Sequence, residues 1–353
     1  VPEGVAHYPD PVMRLPAEIV AQLRGRFEGQ RVCVTGGDGF IGGHDLDALL
    51  SLGASVVVID DLATSTAEHV ASLIDLEPDR VRFIHGSILE PSALSEAVAG
   101  CSHVIHLAAL GSVPRSIKQP ERTIAVNTTG TVRVLAAARA ADVSRVVLAS
   151  SSSVYGESET LPKHERMPTQ PLSPYAASKA SAETFACAWS RAFGLSTACL
   201  RFFNVFGPRQ SAEAEYAAVI PAFAKAILDG NAPTIFGDGE QSRDFTYVDN
   251  AVLGVLRAAA TPTPLAGEPL NIAAGEQLTV NDLAKHMAEL LGAPALTPPH
   301  VDTRPGAVTH SQASLERAGE LIGYVPITST TDGLAETCTY FAERYNGAGA
   351  GSA

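Results

Sequence analysis

The sequence lacks an excess of positive charge, paired cysteines and long apolar runs. Its 353 residues carry a formal net charge of -13, which argues against a nucleic-acid partner, because proteins bind phosphate backbones through clustered lysine and arginine. The 5 cysteines are widely spaced and form no C-x-x-C pair, which indicates a reducing compartment such as the cytoplasm. We find no basic, apolar leader and no apolar run near 18 residues or so, so neither export nor a membrane span is predicted.

The composition, 46% hydrophobic and 18% charged, is that of a folded protein, and the length predicts one large unit with a smaller lobe. From Arg31 onward, apolar strand patterns alternate with helical ones. This alternation predicts an α/β fold with a doubly wound parallel sheet of the Rossmann type and a smaller C-terminal α/β lobe. The predicted strands are Val32–Val34, Val56–Ile59, Val81–Ile84, Val104–Leu107, Val146–Ala149 and Ser196–Leu200.

The organisation along the chain follows from the same patterns. Residues 1–30 form an arm and a short amphipathic helix, with Ile19, Leu23 and Phe27 on one face. We expect a dinucleotide-binding domain over 31–203, to which 245–275 return, a substrate lobe from 204–244 and 276–345, and a flexible tail over 346–353.

A glycine-rich loop follows the first predicted strand. Gly36, Gly39 and Gly42 have G-x-x-G-x-x-G spacing and precede a helix, an arrangement that brings backbone N–H groups and a positive helix end to a pyrophosphate. Asp60 ends the second strand, where a carboxylate accepts from ribose hydroxyls and repels a 2′-phosphate, so NAD is favoured over NADP. The alternative is a merely tight strand-to-helix turn, and Asp61 is interpreted as a loop or cap residue.

A tyrosine and a lysine lie one helical turn apart in the middle of the chain. Tyr175 and Lys179 are at positions i and i+4, behind a run of serines that ends the fifth strand. A neighbouring ammonium favours the phenolate, so Lys179 is expected to activate Tyr175 as a base. The structural alternative is an exposed lysine beside a half-buried tyrosine ring. The serine run and the glycine loop disfavour it.

Three motifs together resemble the extended short-chain dehydrogenase/reductase family: Thr35-Gly36-x-x-Gly39-x-x-Gly42, His106-Leu107-Ala108-Ala109 and Tyr175-x-x-x-Lys179. The resemblance covers roughly residues 31–344. It implies that Ser151 hydrogen-bonds the substrate and assists Tyr175, and that Asn127 lies near the nicotinamide. The implied NAD contacts are Gly36, Gly39, Phe40, Ile41, Gly42, Asp60, Ser87, Ile88, Leu107, Ala108, Ala109, Asn127, Tyr175, Lys179 and Phe202.

The residues around the serine run indicate which reaction of that family to expect. Related 4,6-dehydratases carry Asp-Glu where this chain has Ser152-Ser153, and UDP-glucuronate decarboxylases usually place glutamate before the Val-Tyr-Gly. Without these acids, oxidation at carbon 4 and return of the hydride remain, which is the reaction of a UDP-sugar 4-epimerase. A decarboxylase or dehydratase is the enzymatic alternative, and a non-catalytic NAD sensor is the other.

Residues 108–116 and 210–221 resemble bacterial UDP-N-acetylglucosamine 4-epimerases, and UDP-glucuronate 4-epimerases share much of the framework. The resemblance implies substrate contacts at Ser112, Arg115, Ser151, Ser152, Ser153, Asn204, Val219, Phe236, Arg243, Arg304 and Ser311. In a glucuronate enzyme, Arg115 or Arg201 would meet the carboxylate. Two residues depart from the family pattern: Ala307 replaces an aspartate that holds the uridine ribose, and Ser87 replaces one that meets the adenine amine.

Two further expectations concern partners. The alanine- and leucine-rich stretches 120–141 and 173–193 suit a core or the four-helix bundle of a dimer, and the resemblance favours a homodimer. Cys101, His103 and His106 lie on a strand that runs into the sheet, so packing is expected there rather than a metal site.

Overall fold

The computed structural model describes residues 15–212, 217–302 and 309–350. Its centre is a seven-stranded parallel sheet in the order β11-β6-β5-β4-β1-β2-β3. The strands are β1 (Arg31–Thr35), β2 (Ser55–Asp60), β3 (Val81–His85), β4 (His103–His106), β5 (Arg145–Ser151), β6 (Ser196–Phe202) and β11 (Ala266–Ile272). All six predicted strands are confirmed, each within a few residues, and β11 joins the sheet from within the range 245–275.

Helices connect the strands and continue into the second half of the chain. They are α1 (Ala17–Phe27), α2 (Phe40–Ser51), α3 (Glu68–Leu76), α4 (Pro91–Val98), α5 (Val113–Lys118), α6 (Pro120–Ile124), α7 (Thr131–Ala140), α8 (Pro174–Phe193), α9 (Val219–Leu228), α10 (Val248–Ala260), α11 (Val280–Leu290), α12 (Glu316–Ile322) and α13 (Thr330–Ala350). A π-helical turn, Ala125–Gly130, lies between α6 and α7, and a 3₁₀ turn, Ser152–Tyr155, follows β5.

The remaining strands are short and pair outside the central sheet. The strands β7 (Val205–Phe206) and β10 (Thr246–Tyr247) are parallel, as are β8 (Ile235–Phe236) and β13 (His300–Val301). The strands β9 (Ser242–Arg243) and β12 (Leu278–Thr279) are antiparallel.

Both faces of the sheet are covered, as the near-continuous apolar strand patterns predict. Successive residues of β1 contribute to different hydrophobic clusters: Val32 and Val34 pack with α1, α2 and α10, whereas Cys33 packs with α4, α7 and α8. The predicted amphipathic helix at the start is confirmed as α1, with Leu23 and Phe27 buried.

The C-terminal helix differs from the sequence prediction. A flexible tail was expected from Asn346, but the backbone of α13 is helical to Ala350. Extending an established helix adds one hydrogen bond for each residue that is fixed, and buried Leu334 and Cys338 anchor the earlier turns. Residues 1–14 of the predicted arm and 351–353 of the predicted tail lie outside the described residues.

The helix α2 buries a carboxylate without a partner. Asp45 has 0% relative exposure, and neither of its side-chain oxygens has a hydrogen-bond partner among the described residues. Burial raises the pKa of this carboxyl well above its usual value, because a low dielectric disfavours the charged form. The folded protein therefore holds Asp45 as the neutral acid, at a cost in stability.

We expect Asp45→Leu to raise the free energy of unfolding by about 2 kcal/mol, because it removes an unpartnered buried polar group. A raised folded-state pKa gives stability below the unfolded value, near ~3.9, that is lost as the pH rises. The variant should lack this decline. Thermal unfolding between acidic and neutral pH measures both effects. Asp75→Leu, at an exposed position of α3, is the control, and an equal gain there would refute the explanation.

Candidate active site and dinucleotide site

The glycine loop between β1 and α2 is closed by contacts that leave no room for side chains. Gly36 has φ +70°, and a Cβ there would lie 2.6 Å from Ala108 N. A Cβ at Gly42 would lie 2.3 Å from Gly36 O. The loop thus packs on the segment after β4. No side chain caps the start of α2, where Phe40 and Ile41 lie, so its first N–H groups are left to donate to an anion such as a pyrophosphate. These residues fit a dinucleotide.

A buried histidine fixes the strand ends behind this loop. His106 Nδ1 lies 2.7 Å from Thr35 Oγ1, and His106 Nε2 lies 3.0 Å from Thr131 Oγ1. Thr35 Oγ1 also accepts from Ala108 N at 3.2 Å. Burial lowers the pKa of His106 to about 3, so the ring is neutral. His106 therefore has the packing role expected for it. No group of three His, Cys, Asp or Glu suited to a metal occurs among the described residues.

The end of β2 presents the acidic residue predicted to meet the adenosine ribose. The half-buried Asp60 carboxylate accepts from Asp38 N at 3.1 Å and Leu62 N at 2.9 Å. Asp61 accepts from Ala63 N at 3.1 Å, which confirms its interpretation as a loop residue. The backbone amides hold the Asp60 carboxylate beside the glycine loop, in a position that suits ribose hydroxyls.

Two further residues that are predicted to contact NAD, Ser87 and Ile88, lie on the loop after β3. Ser87 Oγ accepts from Leu89 N at 3.2 Å and so stabilises its own turn. Ile88 is buried, and its side chain fills the space where a Cβ on Gly130 would lie, 2.5 Å away. The loop after β3 is thus packed against the π-helical turn.

The catalytic candidates meet where β5 ends and α8 begins. Ser173 caps α8 by accepting from Ala176 N, and Pro174 occupies its first turn. Ser151 lies close enough to Tyr175 to lower the pKa of the tyrosine, and Lys179 Nζ donates to Ala149 O at 2.7 Å. The structure therefore brings together Ser151, Tyr175 and Lys179, and places Ser152 and Ser153 beside them on the 3₁₀ turn.

Burial controls the protonation of this group. It raises the pKa of Tyr175, and the neighbouring Ser151 lowers it. Burial also lowers the pKa of Lys179 to about 8, against the attraction of Glu183. A nearby charge can therefore change the protonation state of either side chain.

Asn127 joins two parts of the site instead of pointing freely into it. Its Oδ1 accepts from Leu110 N at 2.8 Å, and its Nδ2 donates to Leu110 O at 3.3 Å and Ser178 Oγ at 3.0 Å. The amide ties the segment after β4 to α8, the helix that carries Tyr175. Leu107 and Ala109 lie on that same segment, and Phe202 ends β6 as a buried side chain. The nearness of Asn127 to the nicotinamide stays a prediction.

The predicted substrate residues fall into two groups. Ser112 caps α5 by accepting from Arg115 N at 3.2 Å, beside the loop after β4. In the second half, Arg243 Nη1 donates to Ser242 O at 2.8 Å and Thr309 O at 3.0 Å, and Ser311 lies on the neighbouring segment, with its Oγ 3.5 Å from Asp244 N. The structure therefore brings Arg243 and Ser311 together.

Three more substrate candidates lie between these two groups in the sequence. Asn204 is exposed with a left-handed φ of 29° after β6, Val219 begins α9, and Phe236 on β8 is 37% exposed. Arg304 lies outside the described residues, as does Ala307.

Arg201 is not available to a substrate carboxylate, so that alternative was wrong. Its Nε and Nη2 donate to the two oxygens of Glu183 at 2.9 and 2.7 Å. The guanidinium lies over the Tyr155 ring, 4.6 Å from the centroid, and Arg201 is only 3% exposed. An inward-facing position on a central strand explains the burial. Among the two arginines considered, Arg115 remains.

Sequence reasoning missed a charged contact between the dinucleotide helix and the chain after β7. Asp47 on α2 accepts from Arg209 Nη2 at 2.7 Å, and its other oxygen lies 3.0 Å from His69 Nε2. His44, one turn earlier, lies 3.0 Å from Pro208 O. Two acids on an otherwise apolar helix were the available signal. These contacts hold the segment that follows β7 against α2.

Asp244 was also missed, although it follows the predicted Arg243. Its buried carboxylate accepts from Ala313 N, Ala274 N and Gly275 N at 3.0 to 3.2 Å. Burial raises the pKa of Asp244 to about 7. The carboxylate ties the strand of Arg243 to the segment of Ser311, which is why those two residues lie close together.

No helix in the described part of the chain is long and apolar enough to cross a membrane.

Comparisons with known proteins agree with this geometry. The model of the NAD dependent epimerase/dehydratase family matches residues 32–273. The UDP-glucose 4-epimerase of Mycolicibacterium smegmatis is 35% identical over 316 residues, which are 89% of this chain and 99% of the relative. The chain is also similar to dTDP-glucose 4,6-dehydratases and UDP-glucuronic acid decarboxylases.

Solved structures show the same similarity. One is a UDP-N-acetylglucosamine 4-epimerase from Methanobrevibacter ruminantium M1 with UDP-N-acetylmuramic acid, at 35% identity and a TM-score of 0.84, covering 90% of this chain and 99% of that one. Another is the UDP-glucuronic acid 4-epimerase of Bacillus cereus with UDP-glucuronic acid and NAD, at 32% identity and a TM-score of 0.81, covering 90% and 100%.

We expect Gly42→Ala to abolish NAD binding, because its methyl group would displace Gly36 from the position that closes the loop. NAD content of the purified protein and calorimetric titration measure the effect. Gly25→Ala is the matched control, since this helical glycine of α1 has open space around it and alanine favours helix there. Full NAD occupancy in Gly42→Ala would disprove the assignment of the loop.

Proposed function

The chain belongs to the NAD-dependent epimerase/dehydratase family, and we propose that it is a UDP-sugar 4-epimerase. The observation that carries the proposal is the group formed by Ser151, Tyr175 and Lys179, next to serines in place of acids at 152 and 153. The epimerase relatives act on UDP-glucose, UDP-N-acetylglucosamine or UDP-glucuronic acid. We propose the same substrate class here.

Tyr175 is the proposed base for the 4-hydroxyl of the sugar. Ser151 lies close enough to lower the pKa of Tyr175, so both hydroxyls can contact one substrate oxygen, with Ser151 orienting it and Tyr175 taking its proton. Lys179 is held on Ala149 O, and its ammonium favours the phenolate of Tyr175. NAD, when bound, would supply the acceptor for the hydride of carbon 4 and the source of its return.

The rest of the cycle requires the hydride to return to the opposite face of carbon 4, while Tyr175 gives its proton back to the oxygen on that carbon. The sugar must therefore turn about its diphosphate while the nucleotide stays bound. Removal of water or of carbon dioxide needs an additional acid or base, and the serine hydroxyls at 152 and 153 do not supply one. The dehydratase and decarboxylase alternatives are disfavoured for this reason.

We propose that the nucleotide is held by the lobe of residues 204–244 and 276–345, opposite an NAD-binding domain of 31–203 and 245–275. Arg243 would neutralise the diphosphate with its planar fork of donors, and Phe236 would flank the uracil. Asn204, Val219 and Arg304 are the other proposed nucleotide contacts. On the sugar side, Ser311 would leave space for a 2-acetamido group, and Arg115 would pair with the carboxylate of a glucuronate.

We further propose a cytoplasmic homodimer. The stretches 120–141 and 173–193 correspond to α6, α7 and α8 with the π-helical turn between the first two. Ile124 on α6 and Phe193 on α8 are exposed at 49% and 46%, which suits a four-helix bundle with a second copy. All 5 cysteines are free thiols, which fits a reducing compartment.

We expect Tyr175→Phe to lower kcat at least about a hundredfold, the lower range for loss of a general base, while NAD remains bound. The assay incubates the protein with UDP-glucose, UDP-N-acetylglucosamine and UDP-glucuronate and resolves the 4-epimers by chromatography. Tyr345→Phe, on the exposed side of α13, is the matched control. Undiminished turnover in Tyr175→Phe would refute the mechanism. NAD binding without turnover of any sugar by the wild type would favour a sensor.

A further inference from the structure

A buried ion pair lies directly behind the catalytic lysine. Glu183 on α8 accepts two hydrogen bonds from Arg201 on β6, at 2.9 and 2.7 Å. Ser150 Oγ on β5 donates to the same carboxylate at 2.5 Å. Glu183 and Arg201 are 8% and 3% exposed. Burying two charges is costly even when they are paired, so their location requires a reason.

Glu183 of the ion pair lies on the same face of α8 as the catalytic lysine, and both side chains contact β5. Tyr175, Lys179 and Glu183 follow one another at intervals of four residues on α8, so they lie on the same face. Lys179 binds the carbonyl of Ala149, and Glu183 binds the hydroxyl of Ser150, the next residue of β5. Successive turns of α8 are therefore attached to successive residues of the strand.

The charges around Lys179 come from few groups. From β4, His106 faces it with a neutral ring, because burial lowers the pKa of His106 to about 3. From β6, Cys199 faces it as a neutral thiol, because burial raises the pKa of Cys199 well above its usual value. On α8 itself, the Glu183 carboxylate attracts the ammonium. Arg201 is on the far side of that carboxylate, bound to it through two donors.

Burial disfavours the charged form of Lys179 and lowers its pKa to about 8, and the Glu183 carboxylate opposes this shift. A neutral lysine would not favour the phenolate of Tyr175. To act in this way, Glu183 itself must stay charged. The two donors of Arg201 and the hydroxyl of Ser150 stabilise its carboxylate. The carboxylate is thus both fixed in place and kept ionised next to the lysine.

We propose that Glu183, held by Arg201 and Ser150, is a positioning residue that keeps Lys179 protonated and seated on Ala149, and through it sets the ionisation of Tyr175. The proposal rests on the function proposed above for Tyr175 and Lys179. It extends the catalytic group by one further turn of α8 and gives a role to charges that touch no substrate.

The test is a pH titration of Lys179 itself, followed by NMR of its carbon-13-labelled ε-carbon on the purified protein without nucleotide sugar. Each variant is compared with the same variant carrying Lys179→Met, so that the other lysines cancel. In Glu183→Gln we expect the pKa of Lys179 to fall by about one pH unit, as for loss of a nearby opposite charge. Glu183→Asp should recover part of that shift. Glu96→Gln, in the exposed pair with Arg82, should cause none.

A double variant separates this role from a purely structural one. Glu183→Gln with Arg201→Met leaves neither partner of the ion pair charged, so it should fold even if Glu183→Gln alone does not. The proposal predicts that the double variant keeps the lowered Lys179 pKa and shows the same shift in the pH profile of kcat. A wild-type titration in a folded double variant would overturn it. Because the titration needs no substrate, it decides the matter even if the protein epimerises none of the sugars tested.

Discussion

The site depends on the parallel alignment of the central strands, which brings the ends of β1, β4 and β5 to one edge of the sheet. In register, Thr35 pairs with His106 and His106 with Leu148. Three segments that are far apart in the chain therefore leave the sheet side by side: the glycine loop, the loop of Ala108 and the serine run. Each carries one part of the proposed chemistry, and a parallel sheet collects ligands at this edge for the same reason.

The sequence predicted the parts of the site that depend on local spacing. The strands, the glycine loop and the Tyr175–Lys179 interval each follow from the period of one element, and the structure has them where they were expected. Arg201 was misjudged because its environment depends on which residue of α8 lies against β6. Asp47 and Arg209 are 162 positions apart in the chain, and no local pattern predicts which residue pairs with Asp47. For the same reason, the role of Asp244 was visible only from the three loop amides that it binds.

Buried charge serves different ends in different parts of the molecule. Asp45 has no partner in the described chain and costs stability. Asp47 and Arg209 join the dinucleotide helix to the chain beyond the substrate strand. Glu183 and Arg201 lie behind the catalytic lysine, where their effect reaches Tyr175 through one intervening group. Each of the last two pairs holds one element of the fold against another.

The central claim is that a hydride leaves carbon 4 and returns to the same carbon from the protein's own bound cofactor. Turnover of UDP-sugars in deuterium oxide tests this most directly, with mass spectrometry and proton NMR of the product. The account predicts a 4-epimer of unchanged mass whose carbon 4 carries no solvent deuterium. A product that has lost water or carbon dioxide, or a 4-epimer with solvent deuterium on a ring carbon, would contradict it.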